Sequence, residues 1–471
     1  MLVIISDLHL TDGTSGEVIN EKAFRIFRSR LSDMAYDASW RTPADDLVDQ
    51  STDYQPLEEM NILLLGDIMD MIRSEKWNDL DEADMPWTEN RGDSFFETIS
   101  SIVEDVLNEN KISFSILKSM TDQGITIPLS MEVLSDTKKL EENFGSIASE
   151  KRATVKVNIY YMVGNHDWFL YINDPRMNAI RNRIIDSLGL ANERNKPFPY
   201  FPDENKELQR IQTEHNVYAL HGDLFDNTNY QPAGRDFSSV GDVVVLKLLN
   251  EIPKQIEDQL KKFPPEKMGK VTHIKTFVNE LREIDNLRPY SLAPHWIAHV
   301  INKYELDVSL VNDSIREALH KLINDFIKNP LVSKNHFTVI KIEVAELLFK
   351  THLGIGDLAS LIQFLSLDKD GFESYREYAT GLTSHNQGKD KSFYVMGHTH
   401  YPELVPMSSF VRDGITTGQI YINTGTWRTL HKTGINDHSF ISYKTMTMAA
   451  FYKDNERRGH HFENWTGLLD L

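Results

Sequence analysis

The 471-residue chain is predicted to be an α/β protein with a helical cap inserted into its core. Three observations predict this. Short apolar runs recur along the chain, each ending in a polar cluster. Amphipathic helical patterns lie between them. A long, largely helical stretch separates the last two runs from the first four.

The apolar runs are Leu2–His9, Asn61–Asp70, Val157–Asp167, Val217–Asp223, Phe393–His400 and Gln419–Trp427. Continuous apolar runs of this length fit buried strands. Their polar endings fit sites at the carboxyl ends of strands in an α/β sheet. Ser439–Asp454 can add a further strand or hairpin. Phe24, Phe27, Leu31 and Met34 follow helical spacing, with Arg25, Arg28 and Arg30 between them. Phe95–Leu107 and Met177–Leu188 also read as helices.

Two stretches interrupt the strand series. The first, residues 71–156, is acidic and holds a loop-like segment, Trp77–Asp93. The second, residues 236–385, is helical. Ile274, Phe277, Val278, Leu281 and Ile284 form one apolar stripe; Ile315, Leu319, Leu322 and Phe326 form another. Ser314 and Glu317 have capping-box spacing for that second helix, and Leu358–Leu365 reads as a third. The expected division is a core over 1–235 (with the acidic insert at about 71–156), a cap over 236–385, and the rest of the core over 386–471.

Composition narrows the chemistry. The chain has no cysteine. A disulfide scaffold, a thiolate nucleophile and a Cys-ligated metal are excluded. Any metal must be held by His, Asp, Glu or Asn. The start reaches Asp7 without a basic segment or a cleavage site, and no apolar run is long enough to span a bilayer. A cytoplasmic protein without a transmembrane segment is expected. The net charge of −20 is concentrated: Leu31–Glu150 holds 27 acidic against 8 basic side chains. The remainder is nearly neutral, so phosphate-bearing partners stay open.

Five polar clusters close the apolar runs: Asp7-Leu8-His9, Gly66-Asp67-Ile68-Met69-Asp70, Gly164-Asn165-His166-Asp167, His221-Gly222-Asp223 and Gly397-His398-Thr399-His400. Each alone is a weak signal; five in this order are not a chance pattern. Residues i and i+2 of an extended chain point the same way, so Asp7 and His9 can share one ion. His398 and His400 can do likewise or divide between two ions. The glycines before Asp67, Asn165 and His398 allow close backbone approach. Carboxylate, imidazole and amide oxygen together suit Mn, Fe, Co, Ni or Zn rather than calcium.

In this order the clusters resemble the signature of calcineurin-like metallophosphoesterases. The resemblance covers the motif-bearing segments and leaves out both long inserts. It implies a four-layer α/β/β/α sandwich with two divalent metal ions at the strand ends, Mn first among the candidates. One ion would take Asp7, His9 and His400; the other would take Asn165, His221 and His398; Asp67 would bridge them. His166 would sit beside the phosphate and help stabilise or protonate the leaving oxygen, with Asp70 and Asp167 orienting ligands. Such an ion pair can hold a bridging hydroxide for in-line attack at phosphorus. The implied enzyme is a dinuclear metal-dependent phosphohydrolase acting on a phosphodiester or pyrophosphate bond.

Trp168 and Phe169 after the third cluster, His221-Gly222-Asp223 and Asn423-Thr-Gly-Thr-Trp427 also resemble the branch containing UDP-2,3-diacylglucosamine pyrophosphatases. Those enzymes cut a pyrophosphate link and carry a helical cap. That branch usually has Arg at the position of His166, and its members are much shorter. The resemblance there implies the reaction type and not the substrate.

Other signals are weaker. Arg176, Arg181, Arg183 and Arg235 follow metal motifs, and Arg suits bidentate phosphate contacts; Arg235 and Arg176 are the substrate-binding candidates. His295 and His299 have helical spacing but lack the zinc-protease Glu. Asp368-Lys-Asp370-Gly371 lacks the later ligands of a calcium loop. Lysines from Lys254 to Lys275 alternate with acids, as on a solvated face. The expected partner is a small or medium phosphate-containing substrate. Nucleic acid, and hence a nuclease, is disfavoured by the charge. A non-catalytic scaffold would show degenerate motifs, and no ligand is missing. The sequence leaves the oligomeric state open.

Overall fold

In a computed structural model of the chain, residues 1–15, 19–41, 54–89, 91–130, 151–263, 271–287, 293–333, 371–382, 388–412, 414–436 and 439–470 are described. Their strands are β1 (Leu2–Ile5), β2 (Glu59–Leu65), β3 (Ile125–Pro128), β4 (Arg152–Met162), β5 (Val217–Ala219), β6 (Phe393–Met396), β7 (Glu403–Arg412), β8 (Ile415–Asn423), β9 (Thr429–Thr433), β10 (Phe440–Phe451) and β11 (Phe462–Asp470). Each expected apolar run overlaps one of them, and the strands ahead of the five polar clusters stop before the cluster begins.

The protein is mixed α/β with two sheets. One runs β11-β10-β1-β2-β4-β3, with β9 paired to β10; the other runs β5-β6-β8-β7. In the first, β1, β2 and β4 are parallel; in the second, β5, β6 and β8 are parallel. These six strands aim six carboxyl ends at one region, three from each sheet.

Side chains alternate between faces along a strand, and the alternation sorts the core. Leu2, Ile4, Leu63, Leu65, Tyr160 and Met162 of the first sheet pack against Val217, Ala219, Phe393, Val395 and Ile422 of the second. The opposite face of the first sheet carries Val3, Ile5, Ile62, Leu64, Ile159 and Tyr161. The opposite face of the second carries Tyr218, Tyr394, Met396 and Tyr421, covered by Ala379 and Leu382 of the helix Gly371–Leu382.

Four helices lie on that opposite face of the first sheet. Glu21–Ala38 begins at Asn20, whose side chain accepts from the Lys22 amide, and buries Phe24, Phe27, Leu31 and Met34. Asp93–Glu109, Lys111–Gln123 and Arg176–Leu188 bury Phe95, Ile99, Leu117, Met177 and Ile184 in the same core. The acidic segment is thus amphipathic here: its apolar stripe is buried while Glu97, Glu104 and Glu109 face water.

The helices from Val240 to Ser333 have a second core, in which Ile274, Phe277, Leu281, Ile315, Leu322 and Phe326 are buried. It joins the first through Asn250, which donates to the Ile72 carbonyl at 2.9 Å, and through the Arg282–Glu75 ion pair at 2.7 Å. Trp296 lies over His431 with ring centroids 4.4 Å apart. The expected capping box at Ser314 is corrected. The helix Val308–Ile327 starts at Asp307, which accepts from the Leu310 amide. Ser314 falls inside it and donates to the Leu310 carbonyl, the usual fate of a mid-helix serine. The expected helix Leu358–Leu365 and Asp368–Asp370 lie outside the described residues. Among the described residues, no helix is long and apolar enough to cross a membrane.

Candidate metal centre

The five clusters meet at the carboxyl ends of the parallel strands. The loop after β1 is laced to the loop after β2: the Asp7 amide donates to the Gly66 carbonyl at 3.1 Å, and the His9 amide to the Asp67 carbonyl at 2.8 Å. The His398 amide donates to the Asp7 carboxylate at 3.0 Å, and the His166 amide to Asp67 Oδ1 at 2.8 Å. Gly164 and Gly397 have no room for a side chain. A Cβ on Gly164 would strike the Asp67 carboxylate and the His221 ring; one on Gly397 would strike Asp7 and Ser6.

Asp7, His9, Asp67, His398 and His400 all have φ between 47° and 67°. The expectation that Asp7 and His9 share an ion because they lie two apart on extended chain is corrected in its reason. β1 ends at Ile5, and left-handed backbone, not the strand, turns both side chains inward. That conformation costs about 1–2 kcal/mol per residue, and such strain gathers at functional sites.

Asp7, His9 and His400 form one group of potential ligand atoms, and Asp67, His221 and His398 form another. His400 Nε2 lies 3.4 Å from Asp7 Oδ1 and 2.8 Å from His9 Nε2. Asn165 Oδ1 lies 2.8 Å from His398 Nδ1 and 3.2 Å from His221 Nε2. Asp67 Oδ2 stands between the groups, 3.7 Å from His9 Nε2 and 3.2 Å from His221 Nε2. Asp7, His9, Asp67 and His221 are at most 1% exposed. Burying such groups requires partners or a cation.

The outer ring nitrogens identify the inner ones. His9 Nδ1 is 3.0 Å from Asp70 Oδ2, His221 Nδ1 is 2.9 Å from the Leu65 carbonyl, and His398 Nε2 is 3.1 Å from Asp226 Oδ2. Each outer nitrogen meets an acceptor and so carries the hydrogen. Once the ring gives up its second proton, each inner nitrogen would turn a lone pair toward the centre, the arrangement of histidines that ligate metal. These residues could hold metal.

The electrostatics follow from this crowding. Burial would raise the Asp67 carboxyl, but His221, His166 and His9 hold it well below the usual carboxylate range. Burial is likewise outweighed at Asp70 by His166 and His9. For His9 burial works downward, yet Asp7, Asp70 and Asp67 hold the imidazole up at about 9. His221 is raised in the same way, chiefly by Asp67 against its burial.

Asp70 joins two histidines, since its Oδ1 lies 2.6 Å from His166 Nδ1. His166 keeps 16% of its side chain exposed, and His400 keeps 10%; these mark the open side. Asp167 ties loops together. It accepts from the Gly164 amide, the Ile68 amide and the Tyr161 hydroxyl at 2.6, 2.9 and 2.6 Å. Burial and the Asp67 charge push its carboxyl up to about 6.

Neither arginine bonds a ligand candidate directly. Arg235 is buried against Asp223, donates to the Asn229 carbonyl at 2.9 Å and lies over Trp168 and Tyr230. Arg176 is exposed; it pairs with Asp93 and Asp174 and covers the Phe96 ring. None of these partners is a metal-ligand candidate. His299 and His295 lie on the helix Ala293–Lys303. Sequence reasoning missed two residues. Asp226 follows His221 by five positions, and Arg428 directly follows Trp427. Arg428 is buried, with Nη1 3.9 Å from Asp70 Oδ2.

Compared with protein-family models, curated proteins and solved structures, the chain gives no match. What the site can do therefore rests on its own donors: three overlapping groups of nitrogens and oxygens, the third being His9, Asp67 and His166, open to solvent at His166.

Proposed function

We propose that the protein is a metallophosphoesterase of the calcineurin-like kind, a dinuclear phosphohydrolase that cleaves a phosphodiester or pyrophosphate bond. The observation that carries the reading is the position of Asp67 Oδ2, within 3.7 Å of His9 Nε2 and 3.2 Å of His221 Nε2. It makes one carboxylate common to both ligand groups. The alternating cores of the two sheets support a four-layer α/β/β/α arrangement.

Asp7, His9 and His400 would hold one divalent ion, Asn165, His221 and His398 the other, with Asp67 shared. Mn is the first candidate, and Fe, Co, Ni or Zn suit the same donors. Bound there, two such ions supply Lewis-acid charge stabilisation and lower the pKa of water. The chain's own residues do the rest. His166, its Nδ1 fixed by Asp70, presents Nε2 to the leaving oxygen. Arg428 pairs with Asp70 behind these rings. The substrate that suits such a centre is a small or medium phosphate-containing compound.

The test is hydrolysis of bis(p-nitrophenyl) phosphate by Mn-supplied protein, with a panel of pyrophosphates and nucleotides alongside. Chelation or Asp67→Ala is expected to abolish turnover. Turnover undiminished by both would overturn the reading.

A further inference from the structure

Asp226 stands outside the five clusters, yet it is bonded to the site. Its Oδ2 lies 3.1 Å from His398 Nε2. The same carboxylate shapes a turn. Oδ1 accepts from the Thr228 amide at 2.8 Å, Oδ2 accepts from Asn229 Nδ2 at 2.7 Å, and the Asp226 carbonyl accepts the Asn229 and Tyr230 amides at 2.9 Å. The turn continues into the helical region, because the Gly241 amide donates to the Thr228 carbonyl at 2.7 Å. One side chain thus joins a candidate ligand to the segment that leads into the helices beginning at Val240.

We propose that Asp226 is a positioning residue for the ion position formed by Asn165, His221 and His398, and that it couples loading of that position to the order of the 226–241 segment. The proposal rests on the metal-centre reading. A carboxylate at Nε2 fixes the hydrogen there and leaves the Nδ1 lone pair facing Asn165 Oδ1 and the site. Outer carboxylates of this kind orient the ring and raise its basicity as a ligand, and losing one weakens metal affinity by about 10–100-fold. His9 has its counterpart in Asp70. Asp226 gives the second position the same device, carried by a different loop.

The linkage works in both directions. An ion on His398 Nδ1 holds the ring still, and the ring holds Asp226 and its turn. Removing the carboxylate breaks the linkage without touching a ligand. An asparagine at 226 can keep the Thr228 bond only by turning its NH2 group toward His398 Nε2. That favours the opposite tautomer, with a hydrogen on Nδ1 where the ion would be.

The test is Mn titration with metal content by mass spectrometry, on wild type, Asp226→Asn, Asp226→Ser and Asn229→Ala, alongside amide hydrogen exchange of residues 226–241 with and without Mn. Asp226→Ser keeps an acceptor for the Thr228 amide and serves if the asparagine variant does not fold. The expected result is two ions in wild type and a second ion bound about 10–100-fold more weakly in either Asp226 variant. Asn229→Ala, which keeps the carboxylate at His398, should weaken the second ion far less than either Asp226 variant. Mn should slow exchange of the segment in wild type and leave it unchanged in the Asp226 variants. Unweakened binding of both ions by an Asp226 variant would overturn the proposal. So would an equal loss in Asn229→Ala, which would assign the effect to the turn itself. A wild type that binds no ion is a separate outcome, and it sinks the metal-centre reading along with this one.

Discussion

The Nε2 atoms of His9 and His400 lie 2.8 Å apart, although 391 residues separate the two in sequence. Because Asp70 takes the hydrogen on His9 Nδ1, the facing nitrogens approach this closely only around a cation or a shared proton. Adding Mn to chelator-treated protein should therefore stabilise the fold, by about 2.7 kcal/mol at a free concentration of about 100 Kd. Differential scanning fluorimetry checks this as a rise in melting temperature. His9→Gln or His400→Gln should flatten the response.

Asp70 bonds His9 through one oxygen and His166 through the other. Asp70→Asn leaves an amide that can serve only one of these rings as acceptor. The expected outcome is a drop in kcat of about 10–100-fold with the circular dichroism spectrum unchanged. Steady-state hydrolysis of bis(p-nitrophenyl) phosphate measures it, and an unchanged kcat would remove Asp70 from the site's working parts.

Gly164→Ala puts a methyl group against the Asp67 carboxylate and the His221 ring. Neither can retreat without leaving its ligand position. Overpacking of this kind costs about 1–3 kcal/mol, and metal affinity should fall with it. Urea unfolding and Mn titration read the two effects separately. An alanine variant with wild-type stability and metal content would mean that the loops are looser than their bonding indicates.

His215 closes the helix Lys206–Glu214 and is buried; its Nδ1 donates to the Ile211 carbonyl at 2.7 Å, and its Nε2 has no partner. Burial, then the nearby chain N-terminus, pushes the imidazole down from 6.5 to about 3. Below pH 6.5 the unfolded chain takes up a proton that the folded protein refuses. Stability from this residue is present above that pH and is lost as pH falls toward 3, at up to about 1.4 kcal/mol per pH unit. Urea midpoints at pH 7 and pH 5 should differ less in His215→Gln than in wild type.

Trp427 is fully buried and rests on Phe24 and Phe27, with ring centroids 5.5 and 5.4 Å away. Its indole donates to the Thr447 carbonyl at 3.1 Å. Trp427→Ala should cost about 3–5 kcal/mol, seen as a lower denaturant midpoint, with Trp427→Phe costing less.

Much of this was legible in the sequence because two periodicities are hard to counterfeit. The apolar runs before Asp7, Asp67, Asn165, His221 and His398 had to be buried strands, and helical spacing placed Phe24 and Phe27 on one face. Strands with an open face were harder to see. β7 and β11 lie at sheet edges and mix polar with apolar residues, so their composition resembled loop. Ser314 misled because capping is decided by where the helix actually starts, and Asp307 supplied an earlier cap. Asp226 was invisible for another reason: its importance comes from Nε2 of a histidine 172 residues away, and no local pattern encodes a pairing that only the fold creates.

The pairing of β1 has a consequence for biosynthesis. β1 lies between β2 and β10, with Leu2 opposite Phe451. At ordinary ribosomal speeds, β10 emerges on the order of 20–90 s after β1. Through that interval one edge of β1 has no neighbour, and unpaired strand edges recruit other chains. The helices from Val240 to Ser333, with their own core, are complete well before β10 emerges. The nascent chain therefore passes through a stage in which these helices have been made and the sheet is unfinished. At that stage chaperone dependence and aggregation during expression should be greatest.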